Sequence, residues 1–399
     1  MKKNFCNNGI KSLFFCEKGC DSDSCTSVSR DTGSVIVEQP KQQRITQILD
    51  SEQKVMDNVV PVISLTNNDN LLSLDTPNSP PKCIRNALKG SKVTDYEFCK
   101  TLSKTQRSEV YVAKHIKSGH EVVIKLQKES NIKTPLSFVS NINLASSNTN
   151  LMKDTETLVL EKLQHPNINK IYQSFSSKTG KVHVLEYLEG GDLFDCITDF
   201  EKNNGLPEFN YVKLKQMLKG LDYMHSRGIV HRDIKPENFA FDVEGNIKFI
   251  DFGLSCYFGR NNKNGIAKIN PVGTIPYMSP ELFKIYKERK NLRSGRVRSH
   301  TVPLPTLNLL AVDVWALGMV LFTMLTCRIP WTCADPNTSK EYNRFLQKDF
   351  SHSPWNNIDS CFLNVVKMML NPNVKERATT KELLEYIEKH WPKPEVIDK

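Results

Sequence analysis

The run His231-Arg232-Asp233-Ile234-Lys235-Pro236-Glu237-Asn238 sets a carboxylate, an ammonium and a carboxamide within eight residues. Those groups suit phosphoryl transfer to a hydroxyl, a reaction that needs positioning and charge neutralisation more than covalent help. Asp233 would take the proton of the attacking hydroxyl, Lys235 would neutralise the moving phosphoryl group, and Asn238 would offer Mg²⁺ a hard amide oxygen. The plain alternative is a charged surface loop.

Two further groups fit the same chemistry. Asp251-Phe252-Gly253 follows an apolar stretch at 247–250, itself preceded by the turn residues Glu244-Gly245-Asn246. A carboxylate at a strand end there would bind Mg²⁺ bridging the β- and γ-phosphates of ATP. Lys125 closes Val122-Val123-Ile124 and would reach the α- and β-phosphates, with Glu156 placed to pair with it. A lone strand lysine is usually solvated, so this assignment draws its strength from the other two groups.

Elements that could position these groups are legible from pattern. Residues 96–102, 109–115 and 120–126 read as short strands separated by turn residues, Ser118-Gly119 among them. Residues 127–150 have the composition of a polar loop, and 151–164 carry Leu158, Leu160 and Leu163 at helical spacing. After a strand at 183–187, helical patterns dominate to Trp391. A small β-rich part followed by a larger helical part implies an α+β chain of two lobes with a cleft between them.

On these residues the chain resembles the eukaryotic protein kinase family, serine/threonine type, over roughly residues 96–391. The resemblance implies a kinase domain at 94–391, with the N-lobe and hinge at 94–188 and the C-lobe at 189–391. It implies ATP and Mg²⁺ in the cleft, with Leu102, Val110, Val123, Leu185, Glu186, Leu188 and Ala240 around the nucleotide beside Lys125 and Glu156. Leu185 would guard the pocket behind the hinge Glu186-Tyr187-Leu188. Gly273-Thr274 looks like the substrate-positioning loop, and Ser279-Pro280-Glu281 its anchor, with Glu281 paired to Arg377. Asp313, in Asp313-Val314-Trp315, would hydrogen-bond backbone donors beneath the catalytic loop. Lys235 with Thr274 is similar to serine/threonine rather than tyrosine kinases, and Leu254 leans towards serine as acceptor.

Three departures stand out. The nucleotide loop, aligned on Leu102 and Val110, has Ser103, Thr105 and Ser108 where the family carries glycines. Side chains there should weaken the grip on ATP without abolishing it. Between Ser255 and Thr274 there is no serine or threonine, and Asn270 stands where a regulatory phosphothreonine would often sit. Activity independent of phosphorylation in this loop is therefore expected, although Arg232, the usual partner of that phosphate, is present. The connection 282–312 is long and basic, with Lys284, Lys287, Arg289, Lys290, Arg293, Arg296 and Arg298 against Glu288. A nuclear-import patch, a dock for an acidic partner, anionic-surface binding and a merely solvated loop all fit that charge. Ser299 also resembles a basophilic phosphorylation site.

The rest of the chain sets bounds. A length of 399 residues allows one large folded unit and a sizeable flexible segment. Residues 1–93, rich in Asn, Ser, Asp and Thr, are expected to be disordered. A short tail at 392–399 follows the domain. The formal charge of +10 is basic, yet no nucleic-acid partner is expected from it. Eleven scattered cysteines and no evident leader point to the cytoplasm or nucleus. Cys16, Cys20 and Cys25 could in principle bind zinc, but their spacing is irregular and no histidine lies near. The apolar stretch 309–327 contains Asp313 and reads as a buried core helix rather than a membrane span.

Three readings follow: an active serine/threonine protein kinase, a pseudokinase scaffold with weakened nucleotide binding, and a small-molecule kinase. The intact catalytic set favours the first, the missing glycines are the sole support for the second, and Glu281 with Arg377 argues against the third. Protein substrates are the expected partners. Glu237 and Asp192 would favour basic residues before the acceptor; oligomeric state stays open.

Overall fold

The computed structural model describes residues 95–106, 108–128, 155–177, 180–202, 211–259, 265–268, 270–291 and 306–391. The expected disorder of 1–93, the cysteine cluster, most of the polar loop 127–150, Arg293, Arg296, Arg298, Ser299 and the tail 392–399 lie outside the described residues.

The N-terminal lobe is a five-stranded antiparallel sheet of β1 (Tyr96–Lys104), β2 (Ser108–His115), β3 (Glu121–Lys128), β4 (Ile171–Ser177) and β5 (Gly180–Glu186), in the order β1-β2-β3-β5-β4. Alternation along the strands sorts the two faces. Tyr111, Ala113, Val122, Ile124, Leu126, Val182 and Val184 form one buried cluster with Phe98. Lys125 lies opposite Val110 and His183, and Val123 opposite Val112 and Leu185, so these side chains share the other face. A one-residue slip would bury Lys125 in the apolar cluster.

Strand β4 escaped the sequence reading because Ile-Tyr-Gln-Ser-Phe-Ser-Ser is largely polar. Helix α1 (Thr155–Leu160) is shorter than expected at its C-terminal end. Lys162 and Leu163 donate to Val159 and Leu160 three residues back, a tightened last turn, and Pro166 disfavours helix at His165.

The C-terminal lobe contains α2 (Leu193–Lys202), α3 (Tyr211–Ser226), α4 (Pro280–Asn291), α5 (Leu309–Thr326), α6 (Lys340–Leu346), α7 (Ser360–Met369) and α8 (Thr380–His390). The short pairs β6 (Ile229–Val230) with β9 (Cys256–Tyr257), and β7 (Phe239–Phe241) with β8 (Ile247–Phe249), carry the catalytic segments. A further pair joins β10 (Ile266–Lys268) to β11 (Thr306–Asn308).

Helix α5 is the centre of this lobe. Asn308 caps it by accepting from Ala311 N at 3.1 Å, and Cys327 ends it in the left-handed region at φ 53°. It is long and apolar enough to cross a membrane, yet most of it is buried, with Val314 to Met324 in the main core and Trp315, Leu317 and Phe322 fully enclosed. The 282–312 connection is less loop-like than its charge implies. Its start is helix α4, favoured by Pro280 at the first turn, Glu281 beside it and Arg289 and Lys290 in the last turn. Its end is β11.

Candidate active site

Lys125 is the hinge of the charge arrangement. Its Nζ lies 2.8 Å from Glu156 Oε1 and 2.6 Å from Asp251 Oδ1, joining β3, α1 and the segment after β8. Burial pulls the ammonium's pKa down, but the carboxylates of Asp251 and Glu156 more than offset this, and the net shift is upward. Burial would raise the pKa of Asp251, yet Lys125 and the N–H of Gly253 hold it down to about 2. Both groups are therefore charged at neutral pH. The second oxygen of Glu156 accepts a bond from the Gln127 amide. Gln127 was missed in the sequence, although its place two residues beyond Lys125 puts it on the same strand face.

Asp233, Lys235 and Thr274 form a second knot. Thr274 Oγ1 donates to Asp233 Oδ1 at 2.8 Å, and Lys235 Nζ lies 3.2 Å from Thr274 Oγ1 and 3.3 Å from Asp233 Oδ2. Burial lowers the pKa of Lys235, but Asp233, Glu237 and Asp251 raise it further than that, so it stays cationic. The His231 ring fixes the loop from behind. Its Nε2 is 3.2 Å from Ile250 O and its Nδ1 accepts from Asp233 N at 3.4 Å, which sets the tautomer with the proton on Nε2.

The two knots are joined through the backbone. Ile250 N donates to Asn238 O at 2.9 Å, which sets Asp251 next to the catalytic loop. Asn238 Nδ2 donates to Asp233 O at 2.7 Å, a bond that commits the amide's donor end and leaves its oxygen as a ligand. Asn238 Oδ1 and the Asp251 carboxylate, with a side chain 50% exposed, are hard oxygen donors that fit Mg²⁺. No cluster of three or more His, Cys, Asp or Glu occurs among the described residues. A cation that keeps its own waters and arrives with phosphate oxygens suits such a two-donor site.

The other residues expected around a nucleotide lie on the sheet, on β7 and, for Leu188, in the segment just after β5. Val110 and Val123 are partly buried on the Lys125 face, whereas Leu185, Leu188 and Ala240 are buried. Leu102 is 47% exposed at a register shift in β1. The Glu186 carboxylate is held by Lys248 Nζ at 2.6 Å and by the Lys170 N–H at 3.3 Å, so recognition of a base would fall to main chain. At the loop tip, Ser108 N donates to Thr105 Oγ1 at 3.0 Å and Thr105 N donates to Ser108 O at 2.8 Å. The hydroxyls that replace glycines thus close the hairpin on itself. Buried Glu109, also missed in the sequence, pairs with Lys128 Nζ at 2.8 Å and Lys104 Nζ at 3.7 Å, tying the three strands at the base of that tip.

Beneath the loop, Asp313 accepts from His231 N at 2.8 Å and Arg232 N at 2.9 Å, with His225 Nε2 at 3.1 Å. Arg377 makes a two-pronged pair with Glu281 at 2.7 and 3.0 Å and donates to Ala311 O at 2.8 Å. Its guanidinium also lies over the Trp315 ring, 4.9 Å from the centroid. Arg232 donates through Nη2 to Asn270 O at 3.0 Å.

A two-lobed fold with these charged groups meeting at the lobe junction is what a phosphotransferase cleft requires. The protein kinase domain model matches residues 96–387, and the chain belongs to that family. Among curated relatives, CBL-interacting protein kinase 33 of Oryza sativa subsp. japonica is 30% identical over 311 residues, covering 77% of this chain and 60% of its own length. CBL-interacting serine/threonine-protein kinase 9 of Arabidopsis thaliana is 30% identical over 296 residues, 74% of this chain and 58% of the relative. Serine/threonine-protein kinase chk1 of Schizosaccharomyces pombe is 31% identical over 225 residues, 56% of this chain and 40% of the relative. The chain thus spans about three-fifths of the length of the first two relatives.

Proposed function

We propose that the chain is a serine/threonine protein kinase, transferring the γ-phosphoryl of Mg-ATP to hydroxyls of protein substrates. The observation that carries this reading is Thr274 Oγ1 at 2.8 Å from Asp233 Oδ1, with Lys235 beside both. The substrate-positioning loop is thereby tied to the base that would take the hydroxyl proton. Lys125 would hold ATP phosphates, and Asn238 and Asp251 would hold Mg²⁺, which when bound neutralises charge on the phosphates. A pseudokinase role rests on the closed, glycine-less loop tip alone, while Lys125, Glu156, Asp233, Asn238 and Asp251 are intact.

Basic residues before the acceptor remain the favoured substrate context. Glu237 is partly buried and no described residue bonds its Oε2, so a guanidinium seated beside it would supply the missing partner. Asp192 contributes less, because its Oδ1 already caps α2 by accepting from Asp195 N at 2.8 Å.

An arrayed peptide library with Mg-ATP tests both statements. Labelling of serine and threonine peptides, enriched in preceding arginine and losing that enrichment in Glu237→Gln, is the expected result. Unlabelled peptides throughout, from folded protein, contradict the kinase reading.

A further inference from the structure

We propose that the two ends of the 282–312 connection form a built-in strap that holds the substrate-positioning loop ready for transfer, with Arg289 as a positioning residue. This rests on the kinase reading above.

The strap grips the loop at two places. Downstream, Arg289 Nη1, from the last turn of α4, donates to Asn270 Oδ1 at 2.7 Å. Arg232 of the catalytic loop donates to the main-chain oxygen of the same residue at 3.0 Å. Two guanidinium groups from separate elements thus converge on one uncharged side chain and its carbonyl. Four residues on, Thr274 reaches Asp233. Between them Gly273 has φ 122°, and a Cβ there would lie 2.9 Å from Arg232 O, so the chain passes against the catalytic loop.

Upstream, β10 pairs with β11 through Ile266 with Asn308, Ala267 with Leu307 and Lys268 with Thr306. Leu309 N adds a bond to Gly265 O at 3.0 Å. Gly265 has φ 60°, and a Cβ there would stand 2.4 Å from Leu310 Cγ, so the approach admits no side chain. Leu307 is buried in a cluster with Met278, Leu282 and Leu309, against which Ala267 packs.

Both ends of the strap are themselves anchored. Lys287 of α4 lies 2.6 Å from Asp335, and β11 runs directly into α5, whose Asp313 holds His231 and Arg232. One rigid helix therefore fixes the catalytic loop and carries the strand that fixes the positioning loop. Neutral Asn270 completes the grip without an added phosphate, and Lys287 and Arg289 of the basic stretch are spent on it.

The test uses the full chain, treated with phosphatase, as wild type, Arg289→Ala, Arg289→Lys and Gly265→Ala. Steady-state kinetics, binding of a nonhydrolysable ATP analogue and amide hydrogen exchange over residues 265–274 are read together. Treated wild type stays active, and Arg289→Ala and Gly265→Ala each lose about tenfold in kcat/KM for peptide, the scale of a small misplacement of reacting groups. In both, protection over residues 265–270 falls while analogue binding stays unchanged, and Arg289→Lys recovers part of the loss. Unchanged kinetics and protection in both variants overturn the strap, as does wild type silenced by phosphatase. A parallel loss of analogue binding also overturns it, since the damage is then global. If wild type transfers no phosphate at all, the kinase reading falls, and exchange at 265–270 still reports separately on the strap.

Discussion

Asp313 Oδ1 accepts the main-chain N–H of Arg232 at 2.9 Å, and Arg232 sits in the left-handed region at φ 71°. A bulky residue there is strained by about 1–2 kcal/mol, so an external bond must hold it. The second Asp313 oxygen holds His231 N, and the carboxylate, the one charged group of the helix, is 1% exposed. Asp313→Ala would leave two buried N–H groups unpaired, each costing about 1–3 kcal/mol. The expected result is a clearly lowered Tm with kcat down about a hundredfold, as the loop carrying Asp233 relaxes.

The Lys125–Asp251 contact predicts a pH effect. Asp251 is held at about 2 in the fold, below its ordinary 3.8, so the unfolded chain binds more protons between those values. Stability from this pair is present above about pH 4 and lost as pH falls towards 2. The raised pKa of Lys125 acts at the other end: its stabilisation holds below its ordinary 10.5 and is lost only well into alkali. Denaturant unfolding at several pH values should show a shallower acid decline in Lys125→Met than in wild type, because Asp251 there titrates nearer its unfolded value. Equal slopes would separate the pair from stability.

Legibility in the sequence followed the separation of partners along the chain. The groups of residues 231–238 and Asp251 were readable because a continuous loop and a strand end carry them, whereas Val123 came from the family resemblance alone and the strand pairing is what puts it on the Lys125 face. Arg289 with Asn270, and β10 with β11, were not readable. Those contacts join residues 19 and about forty positions apart, and a basic helix has the same composition as a solvated loop. Gln127 and Glu109 were hidden for another reason: polar residues in strands are usually surface residues, and only the fold shows that Gln127 meets buried Glu156 and that Glu109 is itself buried.

The self-closed nucleotide loop predicts a nucleotide effect. Ser108 N is committed to Thr105 Oγ1 at 3.0 Å, a donor that a glycine loop would offer to phosphate. Ser103→Gly, Thr105→Gly and Ser108→Gly combined should lower the KM for ATP by about tenfold, equivalent to one released charge-assisted hydrogen bond at the low end. The lobe should lose some stability as well, since each glycine adds chain entropy of about 0.5–1 kcal/mol. ATP titration in steady-state assays, with thermal unfolding alongside, reads both effects.

The central claim is that Asp233 takes the hydroxyl proton in a cleft whose phosphate-binding Lys125 is held by Glu156 and Asp251 rather than by Asp233. The most direct measurement is single-turnover transfer to a labelled serine peptide by wild type and Asp233→Asn, with Mg-ATP affinity measured on the same samples. The account predicts a transfer rate down by about 10²–10⁴-fold with nucleotide affinity nearly unchanged. Transfer at close to the wild-type rate in Asp233→Asn would contradict it.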